Sequence, residues 1–214
     1  QPLEPTTCRG LCQDLAKVLG DPLSDDGPQK DIVGREWRAA YDATLAYDPQ
    51  TRRYTAGFPW HSERRPAPNF SAAKGFAFHM RKTLREKGLF QAYTASLGAF
   101  IEEDYARELS PPFPEDGYYL QHFPVCKPES TTPIRPVFNA SSAAKDQLSL
   151  NRALCKGSWD QTQLVHELIR FRTKKYVLLG DIKKAFLQIR IKEEERKYAR
   201  YLWFDSNGNL RAFE

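Results

Sequence analysis

The run Tyr176-Val177-Leu178-Leu179 constrains the fold most; Gly180-Asp181 closes it, and Ile182-Lys183-Lys184-Ala185-Phe186-Leu187-Gln188-Ile189-Arg190-Ile191 continues it. Four apolar residues bounded by glycine have the length and composition of a buried strand. From Phe186 the pattern is strict alternation. Phe186, Gln188 and Arg190 share one face of an extended strand, and Leu187, Ile189 and Ile191 share the other. The sequence therefore predicts an acid, Asp181, at the end of one buried strand, with a half-buried strand resuming a few residues later. A carboxylate held by rigid sheet can carry a divalent cation, because Mg²⁺ prefers hard oxygen ligands. An Asp after a strand also serves simply as a cap or turn residue, and local chemistry leaves both readings open.

The 214 residues suffice for one large domain or two small ones, and a hydrophobic content of 41% with 13% aromatic residues supports a real core. Lys and Arg number 32 against 27 Asp and Glu, a formal charge of +5. That balance is compatible with a polyanionic partner without requiring one. No apolar run approaches membrane-spanning length, and the first residues lack the apolar core of a signal peptide. Cys8, Cys12, Cys126 and Cys155 are scattered, and none of His61, His79, His122 and His166 completes a zinc-ligand spacing with them. We expect reduced thiols in an intracellular protein.

In chain order, residues 1–30 are rich in Pro, Gly and Asp and read as a linker or the tail of a preceding domain. Residues 31–47 can form a helix, and Thr55-Ala56-Gly57-Phe58-Pro59-Trp60 a short extended segment. Helices are expected over 71–88, with Ser71 as N-cap and Gly88 near the end, and over 90–109, stopped by Ser110-Pro111-Pro112. The first has a basic outer face, Arg81, Lys82, Arg85 and Lys87, which is either simply solvated or a nucleic-acid contact. The period then changes. Residues 117–128 and 134–142 are extended runs joined by the polar Glu129-Ser130-Thr131-Thr132, a hairpin that carries Lys127 before its loop and Arg135 after it. Two cations on one hairpin suit a triphosphate. Pro136 argues for an edge or bulged strand. Residues 143–157 read as loop, and 159–172 as a helix burying Leu164, Val165, Leu168, Ile169 and Phe171. Tyr201-Leu202-Trp203-Phe204 and Leu210-Arg211-Ala212-Phe213 flank Asn207-Gly208, a strong hairpin turn. The chain starts at Gln1 and reaches Glu214 within this hairpin, from which we expect a piece of a longer polypeptide.

These segments, in order and at suitable spacing, resemble a known family. Phe123-Pro124-Val125, Lys127-Pro128, Ser130-Thr131-Thr132, Arg135-Pro136-Val137-Phe138-Asn139-Ala140-Ser141, Leu148-Ser149-Leu150-Asn151 and Asp181 through Ile189 are similar to the reverse transcriptase of BEL/Pao-type LTR retrotransposon polyproteins. Tyr54 to Trp60 is similar to the Gly-Leu-Pro-Trp segment that precedes that polymerase, and Arg200-Tyr201-Leu202-Trp203-Phe204 also fits. The resemblance covers about residues 35–214. It implies an α+β fold, an incomplete right-hand polymerase comprising fingers and the N-terminal part of the palm, preceded by a helical segment. The expected division is 1–30 linker, 31–110 mainly helical, 111–175 fingers-like hairpin and helix, and 176–214 the start of the palm.

By the same resemblance Asp181 is the first catalytic aspartate and binds two Mg²⁺ ions, with the Ile182 carbonyl as a further ligand. Lys184 and Ala185 lend main-chain amides to the incoming triphosphate. Phe186 is the aromatic gate that excludes a 2′-hydroxyl, and Lys127 and Arg135 grip the triphosphate. Asn139 stands where the family carries Asp, and the Tyr-X-Asp-Asp motif with the second pair of aspartates is absent from these residues. The implied partners are an RNA or DNA template-primer, a dNTP and a C-terminal remainder of the polymerase, with no membrane. The implied location is cytoplasmic, in a virus-like particle, or nuclear. The fragment alone is expected to be inactive, since two-metal transfer needs carboxylates on both sides of the metal pair. The competing expectation is a degenerate or domesticated remnant that binds nucleic acid or a protein without catalysis.

Overall fold

The computed structural model describes residues 41–127, 129, 133–144, 146–155, 164–173 and 175–214. The expectations for residues 1–40, including Cys8 and Cys12, and for the loop residues Ser130-Thr131-Thr132 lie outside that set. Within it the chain mixes α and β, with three small sheets. Strands β1 (Ala46–Asp48) and β2 (Arg53–Ala56) pair antiparallel, and β2 pairs parallel with β6 (Ile189–Ile191). Strands β4 (Gln121–Cys126) and β5 (Ile134–Asn139) form a two-stranded hairpin. Strands β7 (Tyr201–Phe204) and β8 (Leu210–Phe213) form another, extended by the short β3 (Glu108–Leu109) beside β8.

Two helices cover these hairpins. Helix α1 (Phe70–Glu86) buries Ala73, Ala77, Met80 and Leu84, a stripe at three- and four-residue spacing. Helix α2 (Phe90–Glu102) buries Phe90, Tyr93 and Leu97. Gly88, in the left-handed region at φ +67°, turns the chain between them, a conformation that costs glycine little. The core joins both helices to Tyr119, Phe123 and Ile134 of the first hairpin region and to Tyr201, Leu202, Trp203, Phe204, Ala212 and Phe213 of the second. Residues from 73 to 213 thus share one apolar interior. The Trp203 indole N–H donates to Thr94 Oγ1 at 3.0 Å, so its one polar atom is satisfied. In the β7–β8 turn Gly208 sits at φ +84°, and the Asp205 carboxylate accepts from the Asn209 backbone N–H at 2.8 Å.

Several expectations are corrected. The first helix begins at Phe70 after Asn69, so Ser71 lies inside it and caps nothing. The second ends at Glu102, because Asp104 takes a left-handed backbone, φ +58°, long before the prolines. Leu45 lies between a turn and β1, and Tyr47 lies in β1, rather than in a helix. Within 143–157, Leu150–Ala153 is a short helix, α3, capped by the Ser149 hydroxyl. Helix α4 (Leu164–Arg172) forms, but Val165, Leu168, Ile169 and Phe171 are exposed. Tyr176 to Leu179 is not a strand and is not buried: it has no hydrogen-bonded neighbour among the described residues, and Leu178 is 98% exposed. Ala185–Gln188 is a 3₁₀ turn, so the strand starts only at Ile189. Leu202 and Phe204 are buried in the core, on a strand that α1 contacts.

Candidate functional site

Every residue expected to act on a nucleotide falls on one of two pieces of the molecule. The first is the β4–β5 hairpin. Its register sets Val125 opposite Arg135 and Cys126 opposite Ile134, and the Lys127 backbone N–H donates to the Pro133 carbonyl at 2.8 Å. Lys127 is two residues beyond Val125, so Lys127 and Arg135 project from the same face as diagonal neighbours. Both are exposed. Hence the structure places the two expected cations on one face at the loop end of a hairpin anchored by Phe123 and Ile134 in the core. Pro136 lies opposite Pro124, and among the described residues β5 pairs only with β4, as expected of an edge strand.

Asn139, at the far end of β5, is buried, and its side-chain oxygen accepts from the Ser141 backbone N–H at 3.0 Å. The local task is to hold a turn, which needs an acceptor and no charge. An amide meets it without the cost of burying a carboxylate.

The second piece runs from Tyr176 to Ile191. Asp181 is exposed and makes no hydrogen bond or ion pair among the described residues, and Ile182 beside it is exposed as well. Lys184 takes a left-handed backbone, φ +51°, and its carbonyl accepts from the Leu187 N–H at 2.8 Å, closing the turn that carries Ala185 and Phe186. Phe186 is 94% exposed. It borders an open cleft of about 690 Å³ that is also lined by Tyr105, Leu187, Arg190, Gly57 and Phe58. Asp181 and the two cations therefore lie on separate pieces of the chain, the acid before the 3₁₀ turn and the cations on the β4–β5 hairpin.

Residues that the sequence did not single out hold this second piece in place. The Lys184 ammonium donates to Glu103 Oε1 at 3.0 Å and lies 5.1 Å from the Tyr105 ring centre; Lys183 reaches Glu103 Oε2 at 3.6 Å. The pairing holds the Glu103 carboxyl below its ordinary range, chiefly through the Lys184 hydrogen bond. The Gln188 amide N–H group donates to Tyr105 Oη at 3.1 Å and to the Lys183 carbonyl at 3.0 Å, and Arg190 donates to Asp104 at 2.5 Å.

On the other side, the Glu195 carboxylate accepts from the Phe58 backbone N–H and the Trp60 indole N–H, each at 2.5 Å. The Trp60 ring meets Tyr198 edge-on at 4.9 Å. A side chain at Gly57 would meet Glu195 at 3.1 Å and Thr44 at 3.3 Å, which is why glycine suits that position. The Gly57–Trp60 segment is therefore clasped to the chain that follows β6. Its signal in the sequence was the motif itself; nothing in the charged run Glu193-Glu194-Glu195-Arg196-Lys197 marks Glu195 as the acceptor.

His122 is the one buried histidine among the described residues. Its Nε2–H donates to the Leu202 carbonyl at 3.0 Å, and Nδ1 accepts from the Tyr93 hydroxyl at 2.6 Å, which fixes the neutral tautomer. Burial pushes its pKa down to about 4. It ties β4 to β7 and α2, and with both ring nitrogens bonded inside the core it is structural.

The pair of Mg²⁺ ions was expected only in the complete polymerase, with Asp181 as this chain's carboxylate ligand. No group of three or more His, Cys, Asp or Glu able to hold a metal occurs among the described residues. Cys126 and Cys155 are thiols, and no described helix is long and apolar enough to cross a membrane. Compared with protein-family models, curated proteins and solved structures, the chain gives no match to any of the three.

Proposed function

We propose that this chain supplies the fingers hairpin and the first palm segment of an RNA-directed DNA polymerase of the BEL/Pao retrotransposon type. One observation carries the reading: the segment holding Asp181 leaves Tyr176, Leu178, Leu179, Ile182 and Phe186 uncovered on both sides of the acid. A stretch apolar on both faces belongs between other strands, and the second, carboxylate-bearing hairpin of such a polymerase is the element that would cover it. The hairpin cations Lys127 and Arg135, side by side, suit a triphosphate.

The reaction is attack of a primer 3′-hydroxyl on the α-phosphate of a dNTP, with pyrophosphate leaving. This chain's share is nucleotide binding. Lys127 and Arg135 offset the triphosphate charge, the Lys184–Ala185 amides hold its oxygens, and Phe186 stacks beneath the sugar. The ion pair of this chemistry needs further carboxylates from the C-terminal remainder, so the 214 residues do not polymerise alone.

The test is primer extension by the polypeptide that includes that remainder. Asp181→Asn abolishes extension; extension at near wild-type rate sinks the assignment. Phe186→Ala relaxes discrimination against ribonucleotides, and unchanged selectivity removes the gate role.

A second reading, a remnant that binds nucleic acid without catalysis, is favoured by Asn139, whose buried amide does a purely structural job. Salt-sensitive binding of an RNA–DNA hybrid with no extension by any form of the polypeptide would select it.

A further inference from the structure

We propose that the loop Glu103-Asp104-Tyr105, at the end of α2, is a positioning device that fixes the Lys184–Phe186 turn on which the incoming nucleotide docks. The inference rests on the nucleotide-binding role proposed for that turn. Three consecutive residues each hold a different point of one short segment at least 80 positions away. Glu103 takes the Lys184 ammonium at 3.0 Å and Lys183 at 3.6 Å. Tyr105 accepts from Gln188, whose amide also holds the Lys183 carbonyl, so the two ends of the turn are stapled together. Asp104 takes Arg190 at 2.5 Å and Arg53 of β2 at 3.4 Å, and β2 is the strand to which β6 is paired. Arg53 also donates to the Asp104 carbonyl at 2.9 Å and lies 5.3 Å from the Tyr105 ring centre.

The turn needs outside support. Lys184 occupies the left-handed region at φ +51°, uncommon for a residue with a side chain, and such conformations persist when their surroundings over-determine them. The Lys184 side chain is gripped by a carboxylate on one side and by the Phe100 and Tyr105 rings, 5.7 and 5.1 Å from its nitrogen, on the other. Meanwhile Phe186 is 94% exposed, so its ring adds little packing to hold the turn from the far side. Glu103, Asp104 and Tyr105 are absent from the apolar core, so the device sets the geometry of the turn without bearing the fold.

That separation decides the test. In the complete polymerase, Glu103→Ala and Tyr105→Phe should each raise the KM for dNTP about fivefold with kcat changed less than twofold, the size of a half-exposed pair. Thermal midpoints should stay at the wild-type value. Glu103→Gln, which keeps an oxygen for Lys184, should recover part of the affinity, and Glu102→Ala, on the same turn of α2, should change nothing. Unchanged KM in both variants, or a fall in kcat and thermal midpoint together at constant KM, overturns the proposal.

Hydrogen exchange in the 214-residue chain supplies a readout independent of polymerisation. The amides of 184–190, Leu187 above all, should exchange faster in Glu103→Ala than in the wild type, and equal rates overturn the proposal. If the complete wild-type polypeptide extends no primer, the polymerase reading fails, and exchange alone judges whether this loop positions the turn.

Discussion

Tyr201-Leu202-Trp203-Phe204 and Tyr176-Val177-Leu178-Leu179 are both four-residue apolar runs that open on tyrosine, yet one is buried at every position and the other exposed at every position. The difference lies in what surrounds them. The first has a partner strand five residues away, returned by the Asn207-Gly208 turn, and two helices that cover its faces. The second follows a helix whose own apolar side is open and has no strand beside it among the described residues. Strand composition fixes what a run can become; hydrogen-bonded partners and a covering layer decide whether it does.

The contrast can be broken by mutation. The largest effect is expected for Trp203→Ala, a loss of about 3–5 kcal/mol in urea unfolding, from lost burial and the cavity left behind. Leu178→Ser should stay within about 0.5 kcal/mol of wild type. A large loss in the second would show that the run is packed in solution.

Next is His122. Its folded pKa, about 4, lies below the ordinary 6.5, so the unfolded chain takes up a proton first as pH falls. The contribution is therefore complete above pH 6.5 and lost between there and pH 4, by up to about 3 kcal/mol. His122→Phe should abolish this acid slope while costing about 1–3 kcal/mol at pH 7, because the Tyr93 hydroxyl loses its acceptor and the Leu202 carbonyl its donor. A slope that survives in the variant assigns it to other groups.

Glu195→Ala, which strips the acceptor from Phe58 and Trp60, should cost about 1–3 kcal/mol and redshift Trp60 emission as the ring loses its clasp; unchanged stability and emission would remove the clasp.

The smallest effect has the opposite sign. Among the described residues the buried Tyr201 hydroxyl has no partner, so Tyr201→Phe should be neutral or stabilising by up to about 1 kcal/mol. A clear loss would mean that the hydroxyl is bonded.

Where local pattern suffices, the sequence was readable. The stripes of α1 and α2, the hairpin joined by Asn207-Gly208, and the β4–β5 pairing with Lys127 and Arg135 on it all follow from periodicity and turn chemistry. What it hid is non-local. The parallel pairing of β2 with β6 joins residues about 135 positions apart, and no alternation within either strand records its partner. Glu103 and Glu195 sit among other charges, and a carboxylate that holds a distant lysine or indole looks in sequence like one that faces water. The opposite error arose at α4 and Tyr176–Leu179, where apolar composition implied burial and the covering layer was missing. The candidate site was legible as a set of residues, not as an assembled centre.

Hydrogen exchange at Tyr176–Ile182 tests the polymerase reading most directly, measured in the 214-residue chain and in the polypeptide that includes the C-terminal remainder. We expect these amides to exchange near the free-chain rate in the first and to become protected in the second, as strands form beside Asp181. Exchange equally fast in both would contradict the proposal that this segment is the catalytic strand of a polymerase palm.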